Sequence, residues 1–246
     1  MYMWLLFAIG LISGMCSYIF GIGGGIIIIP ALVLFAKMSM QRAVPLSLIS
    51  MIPITIISAT THYWQVGSQV SAFVVVLLTS GALLGSFIGS HSVHTISHKL
   101  ATRILCAFLI LIAFVLAEVF SFAPVAQLSF LLLLAIGFGI GFICGFFGMS
   151  GGFLLVPLLV MLFSFPYSVA IATSLLSLTP ILIASTLFHH VNLRFYLHST
   201  VQIVVGAFFG VLLGFFLSHL IPAQGYTWFF SLFLVFVAIR LWFREG

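Results

Sequence analysis

Charged side chains are scarce in this sequence: Asp, Glu, Lys and Arg make up only 4% of its 246 residues. Two of them are acidic, Glu118 and Glu245. A cation site or a proton relay built on carboxylates would therefore have almost no side chains to use. This shortage favours an anion over a cation as the molecule that the protein handles.

Paired cysteines and metal-binding clusters are missing as well. Cys16, Cys106 and Cys144 lie singly in apolar runs, where a free cysteine usually behaves as a small buried hydrophobe. None of the eight histidines forms a ligand pair with a carboxylate, so we predict no metal site and no cofactor. Serines and histidines are available, but no acid is placed to orient a histidine for catalysis, and we predict that the protein is not an enzyme.

Hydrophobic residues make up 64% of the chain, and the mean hydropathy is +1.43. The apolar runs reach the roughly 20 residues that cross a bilayer, and they lack the alternation of a barrel strand. We therefore predict an all-α integral membrane protein. The first run is too long for a signal peptide and is expected to remain as a span. The net charge of +5 lies at segment ends, so we predict no nucleic-acid partner.

The sequence repeats itself after 127 positions, the shift that brings Gly21 onto Gly148. Glycine, proline, serine and histidine positions superpose together, which low complexity alone would not easily produce. The pairs include Pro30 and Pro157, Ser47 and Ser174, Ser50 and Ser177, Pro53 and Pro180, and His62 and His189. After a two-residue adjustment, a glycine ridge (Gly81, Gly85, Gly89) aligns with a partner ridge (Gly206, Gly210, Gly214), both typical of close helix packing. We infer two homologous halves, 1–124 and 125–246.

Each half contains two short apolar segments followed by three longer ones. We predict helices at about 4–20, 24–36, 44–63, 70–90 and 100–120, and at about 128–147, 151–163, 168–190, 200–221 and 226–243. A segment of about 13 residues rises only about 20 Å, so each short pair is either a re-entrant hairpin or two short tilted helices. Both arrangements give each half an odd net number of crossings. We therefore predict an inverted repeat within a single integrated transmembrane domain.

Basic residues agree with this inversion. If the loop with Lys37 and Arg42 faces the cytoplasm, all seven basic residues fall on the cytoplasmic side and Glu118 falls outside. Cytoplasmic loops of membrane proteins are enriched in Lys and Arg. Two parallel halves would not separate the charges in this way. The pattern also predicts that both chain termini lie in the cytoplasm.

A glycine-rich break interrupts the apolar run in each half. The first contains Gly21, Gly23, Gly24 and Gly25, and the second contains Gly148, Ser150, Gly151 and Gly152. Broken helix is tolerated in hydrocarbon only where it is buried in protein or lines a cavity, and a repeated break indicates a transporter's binding site. Glycine-rich turns that open a helix offer N–H groups and a positive dipole end to an anion. The competing interpretation is that these glycines only let helices cross closely.

Hydroxyl side chains follow one face of the helix after each break. Ser47, Ser50 and Ser58 share about 120° of this face with His62, and Ser174, Ser177, Ser185 and His189 repeat the arrangement. The candidate substrate-binding hydroxyls are Ser47, Ser50, Thr173, Ser174 and Ser177, and His62 and His189 are candidates for gating or proton linkage. Packing between helices is the alternative role for the serines. For the histidines, the alternative is an ordinary interfacial position.

These motifs resemble the TauE/SafE sulfite exporter family over essentially the whole chain. The resemblance rests on Gly-Ile-Gly-Gly-Gly (21–25) with the following Pro-Ala-Leu, on Gly-Met-Ser-Gly-Gly (148–152) with Val-Pro, and on Ala-Ile-Ala-Thr-Ser-Leu-Leu (170–176). The family implies a membrane transporter of sulfite, organosulfonates and related sulfur anions, and with it we expect the bacterial cytoplasmic (inner) membrane. The chain departs from the family pattern at Ser150, which replaces a glycine, and at Pro45-Leu46-Ser47.

The preferred hypothesis is a secondary transporter that binds a small sulfur-containing anion near the midplane, between the two glycine-rich breaks and their flanking serines. The alternatives are a transporter of another small anion or carboxylate, a channel, or an intramembrane enzyme. The lipid bilayer and the anionic substrate are the expected partners, and the sequence is compatible with a homo-oligomer.

Overall fold

The computed structural model describes residues 2–92, 129–189 and 193–218, together with isolated positions between 103 and 114 and between 231 and 242. These residues form helices, and no strand occurs among them. The first half contains α1 (Tyr2–Phe20), α2 (Gly25–Leu34), α3 (Met40–Val66) and α4 (Ala72–Ser92), with a short 3-10 helix at Gly67–Gln69 between α3 and α4. The second half contains α5 (Phe130–Phe147), α6 (Gly152–Phe163), α7 (Tyr167–Phe188) and α8 (Leu193–Ser218).

Six of these helices are long and apolar enough to cross a membrane: α1, α3, α4, α5, α7 and α8. The all-α prediction is confirmed for the described residues. The structure begins α3 and α8 earlier than the sequence predicts, at Met40 and Leu193, because an arginine in each first turn, Arg42 or Arg194, interrupts the apolar run there. The predicted segments 100–120 and 226–243 lie outside the described residues, apart from isolated positions.

The two short helices, α2 and α6, are too short to span a bilayer. They contain 10 and 12 residues, which rise about 15 and 18 Å against a hydrocarbon core of about 30 Å. Nearly every residue of α2 is buried, so the helix lies inside the protein and not against lipid. Because both short helices begin inside the fold, their first turns lie where the longer helices meet.

The last described helix of each half packs against the first helix of the other half. α4 packs along α5, and in the equivalent pairing α8 packs along α1, while α3 packs against its own counterpart α7. A Cβ placed on Gly81, Gly85 or Gly89 would meet backbone of α5 near Leu134, Phe138 and Phe142 in turn. The residue numbers of the contacts increase together along both helices, so α4 and α5 are parallel.

The second glycine ridge behaves in the same way. A Cβ on Gly206, Gly210 or Gly214 would meet α1 backbone at Phe7, Leu11 and Met15 in turn. Each ridge therefore packs against the first helix of the opposite half, and not against the other ridge as its partner. Small residues allow this approach because a side chain at any of these positions would overlap neighbouring backbone.

Candidate functional site

Two glycine-rich turns form the centre of the candidate site. The first joins α1 to α2 and has left-handed backbone at Gly21 (φ 67°), Gly23 (φ 67°) and Gly24 (φ 82°). The second joins α5 to α6, and in it only Gly148 is left-handed (φ 64°). Left-handed backbone is readily adopted by glycine but strained for other residues. The two turns are thus equivalent in sequence but differ in backbone conformation.

The turns touch each other at the starts of α2 and α6. A Cβ on Gly25 would lie 2.8 Å from the backbone nitrogen of Ser150, and a Cβ on Gly152 would lie 2.5 Å from the carbonyl oxygen of Gly21. The Ser150 hydroxyl donates a hydrogen bond of 2.5 Å to the carbonyl of Ile22. The N-terminal ends of the two short helices therefore meet at one point.

Helices α3 and α7 flank this crossing in equivalent ways. On α3, the Val44 side chain lies against Gly148 and the Met51 side chain against Gly25. Ser47 lies between them on the same helical face. On α7, Ile171 and Leu178 lie against Gly21 and Gly152.

Ser174, the counterpart of Ser47, occupies the same place on α7 and donates to the Gly21 carbonyl at 3.1 Å. The structure thus brings the predicted glycines and serines together.

The hydroxyl groups around the crossing differ in whether they have a partner. Ser150 and Ser174 are bonded to the first turn, and Ser177 donates to the Thr173 carbonyl of its own helix at 2.8 Å. The side-chain oxygens of Ser47, Ser50 and Thr173 are buried and have no hydrogen-bond partner within the described part of the chain. Leaving a buried donor unpaired costs about 1–3 kcal/mol, so these three hydroxyls need an explanation.

The site is closed in this structure. Ser47, Ser50, Ser150, Thr173, Ser174 and Ser177 are all 0% exposed. An anion could reach them only after the helices separate. These six side chains are therefore closed to solvent in this structure.

Residues 6–241 match the family described as "Sulfite exporter TauE/SafE". The chain belongs to the TauE/SafE sulfite exporter family. It is also similar to the "Probable membrane transporter protein YunE" of Bacillus subtilis (strain 168), with 29% identity over 246 residues that cover 85% of this chain and 86% of that protein. No solved structure matches it. Family membership and the six apolar helices identify an integral membrane transporter.

The two candidate histidines of this TauE/SafE protein occupy equivalent positions at the ends of α3 and α7. His62 Nε2 donates to the Tyr18 carbonyl in the last turn of α1 at 2.8 Å. His189 Nε2 donates to the Gly145 carbonyl in the last turn of α5 at 2.6 Å. Neither bond reaches the glycine crossing itself. Each histidine instead holds the helix that leads into a glycine turn.

A second pair of contacts accompanies these bonds, and sequence reasoning did not find it. The side-chain oxygens of Ser17 and Ser58 lie 3.2 Å apart. At the equivalent place in the second half, the Cys144 sulfur lies 3.5 Å from the Ser185 oxygen. Ser185 also contacts Ser86 of α4 at 2.6 Å. The 127-residue shift pairs Ser17 with Cys144, and this pairing could have predicted the two contacts from the sequence. It was missed because a lone cysteine was interpreted only as a packing residue.

Proposed function

We propose that this chain is a secondary transporter of a small sulfur-containing anion, such as sulfite or a sulfonate, which binds at the crossing of the two glycine turns. The observation that carries the proposal is that the two helices flanking the crossing, α3 and α7, carry three buried hydroxyls, Ser47, Ser50 and Thr173, that have no partner among the described residues. Hydroxyl donors and helix N-termini suit an oxyanion. The family description supports a sulfur oxyanion in particular.

The energetics of such a site are reasonable. A hydrogen bond to a charged group contributes about 1.5–3 kcal/mol. Burying one ion costs several kcal/mol, which three such bonds can offset. The hydroxyls are then unpaired only while the substrate is absent. This explains why a folded chain keeps three costly groups in its interior.

We further propose that the halves are inverted and form one transmembrane domain. The end of α1 meets His62 at Tyr18, and the chain then passes Thr55 at Gly23 and Met51 at Gly25, so it turns back along α3 after α1. This reversal supports the same direction for α1 and α3. α4 follows α3 after a short connection and runs back, and α5 is parallel to α4. By this reasoning α5 runs opposite to its counterpart α1. Alternating access then follows from movement of one half against the other around a shared site.

Flux measurements test the transport proposal. We expect proteoliposomes containing the protein to exchange labelled sulfite or a small sulfonate faster than empty liposomes do. The panel includes sulfate, chloride and a small carboxylate as competitors. Transport of the carboxylate but of no sulfur anion would favour the alternative substrate class, and absence of any anion flux from folded protein would contradict the proposal.

Reporter fusions test the inversion. We expect enzymatic reporters fused to the N-terminus and to the C-terminus to be active on the same, cytoplasmic side, because each half makes an odd net number of crossings. A third fusion in the loop 67–71, predicted outside, serves as the control. Reporters that place the two termini on opposite sides of the membrane would refute the inverted repeat.

A further inference from the structure

The two histidine bonds lie at the ends of α3 and α7, which carry serines, a proline and a histidine in the same order. On α3 the order along the chain is Ser47 and Ser50, then Pro53, then His62. On α7 the order is Ser174 and Ser177, then Pro180, then His189. A proline inside a helix removes one backbone hydrogen bond and permits a bend. Each helix thus has a segment beside the site, a hinge, and a distal end fixed by a histidine.

The contacts at the distal ends bridge separate helices. His62 is 6% exposed, stacks on the Tyr18 ring with centroids 4.2 Å apart, and bonds the Tyr18 carbonyl. The Tyr18 hydroxyl in turn lies 3.4 Å from Gln65 of α3. The corresponding bond from His189 fixes α7 to the last turn of α5. Breaking either bond would weaken the attachment of the end of α3 or α7 beyond its proline.

We propose that His62 and His189 are positioning residues that latch two gates at opposite faces of the membrane. This inference rests on the inverted arrangement proposed above, which puts the end of α3 at the outer face and the end of α7 at the cytoplasmic face. In the closed structure both latches are made. Opening toward one side breaks one latch, bends that helix at its proline, and leaves the other latch intact.

The latch needs a hydrogen on the ring nitrogen that faces the carbonyl, and it needs no change of protonation. A backbone carbonyl can only accept, so the histidine nitrogen that faces it must carry a hydrogen. A neutral imidazole meets this requirement. Among the described residues, the His62 ring contacts Tyr18 of α1, whose hydroxyl bonds Gln65, and neither side chain carries a charge at neutral pH. A glutamine side chain could make the same donation without titrating.

Thiol labelling from each side tests the proposal. The background replaces the native cysteines (Cys16→Ala, Cys106→Ala, Cys144→Ser), and the buried Ser50→Cys is the reporter. A membrane-impermeant methanethiosulfonate reagent is applied to intact cells and to inverted vesicles. We expect His62→Ala to raise labelling from outside and His189→Ala to raise labelling from the cytoplasmic side. The rise should be roughly two- to tenfold, the effect of one hydrogen bond on an equilibrium.

Two further variants complete the test. His91→Ala is the matched control, because the His91 ring bonds the Phe87 carbonyl of its own helix and should leave both labelling rates unchanged. His62→Gln and His189→Gln should restore the wild-type labelling pattern and retain flux. Equal rises from one face in both alanine variants would overturn the proposal, as would unchanged labelling. Gln variants that keep the labelling pattern but lose flux would make the histidines proton carriers instead. Labelling requires no substrate, so it stands apart from the flux test of the proposed function.

Discussion

We expect Gly152→Ala to reduce transport by at least about tenfold in protein that is still inserted. The added Cβ would lie 2.5 Å from the Gly21 carbonyl oxygen and 2.5 Å from Leu178, at the point where the two glycine turns touch. Overpacking a tight contact typically costs about 1–3 kcal/mol. Flux in proteoliposomes, normalised to folded protein, measures the effect. Gly25→Ala should behave similarly, because its Cβ would overlap Met51 and approach Ser150.

Gly139 provides the matched control for this substitution. It lies on α5, close to the same break in sequence, but a Cβ there would meet no atom of the described residues within 4 Å. Gly139→Ala should therefore leave flux unchanged and the melting temperature unchanged or slightly higher, because alanine favours a helix over glycine. Equal losses of flux in Gly139→Ala and Gly152→Ala would show that the turn crossing has no special role.

We expect the triple variant Ser47→Ala, Ser50→Ala, Thr173→Val to be more stable than the parent and unable to bind substrate. Each replacement removes a buried hydroxyl that has no partner within the described residues, and so removes an unsatisfied group that costs about 1–3 kcal/mol. The melting temperature of the free protein should therefore rise. Substrate raises the melting temperature of a protein that binds it only when folded. That shift should disappear in the variant, and flux with it.

Ser150→Ala is the control for the serine substitutions. Its hydroxyl is bonded to the Ile22 carbonyl, so the replacement leaves a buried acceptor unpaired and should lower the melting temperature. The melting temperature should thus rise when unpartnered hydroxyls are removed and fall when a hydrogen-bonded hydroxyl is removed. A triple variant that is destabilised, or one that retains normal flux and the substrate-induced shift, would contradict a binding role for these three side chains.

The sequence predicts the helices and the breaks well because both depend on local chemistry. Long apolar runs specify spans, and the glycines at 21–25 and 148–152 interrupt them where the structure has turns. The 127-residue shift also places residues correctly: Ser47 and Ser174, and His62 and His189, occupy equivalent positions in the fold.

Features that depend on the partner across the fold could not be predicted. Gly24 and Gly151 are equivalent in sequence, yet Gly24 is left-handed (φ 82°) and Gly151 is not (φ −77°). This difference in backbone conformation accompanies a difference in sequence: Ser150, which makes a hydrogen bond, stands where the first turn has the glycine Gly23. Likewise, Ser174 has a partner and Ser47 does not. A sequence repeat predicts that two residues occupy equivalent positions in the fold. It does not predict that they make the same hydrogen bonds, because the two glycine turns that face these serines differ.

The exchange of helices between the halves has a consequence for biosynthesis. α1 leaves the ribosome before the other described helices, but its neighbour along the glycine contacts is α8, which ends at Ser218. Gly10 and Gly14, whose tight contacts are with Ile203 and Ala207, must remain without them until most of the chain has been made. α1 can already pack on α2 and α3 at that stage, but the surface of its small residues stays uncovered until α8 has been made. Truncated chains that end before α8 therefore lack the helix that fills this surface.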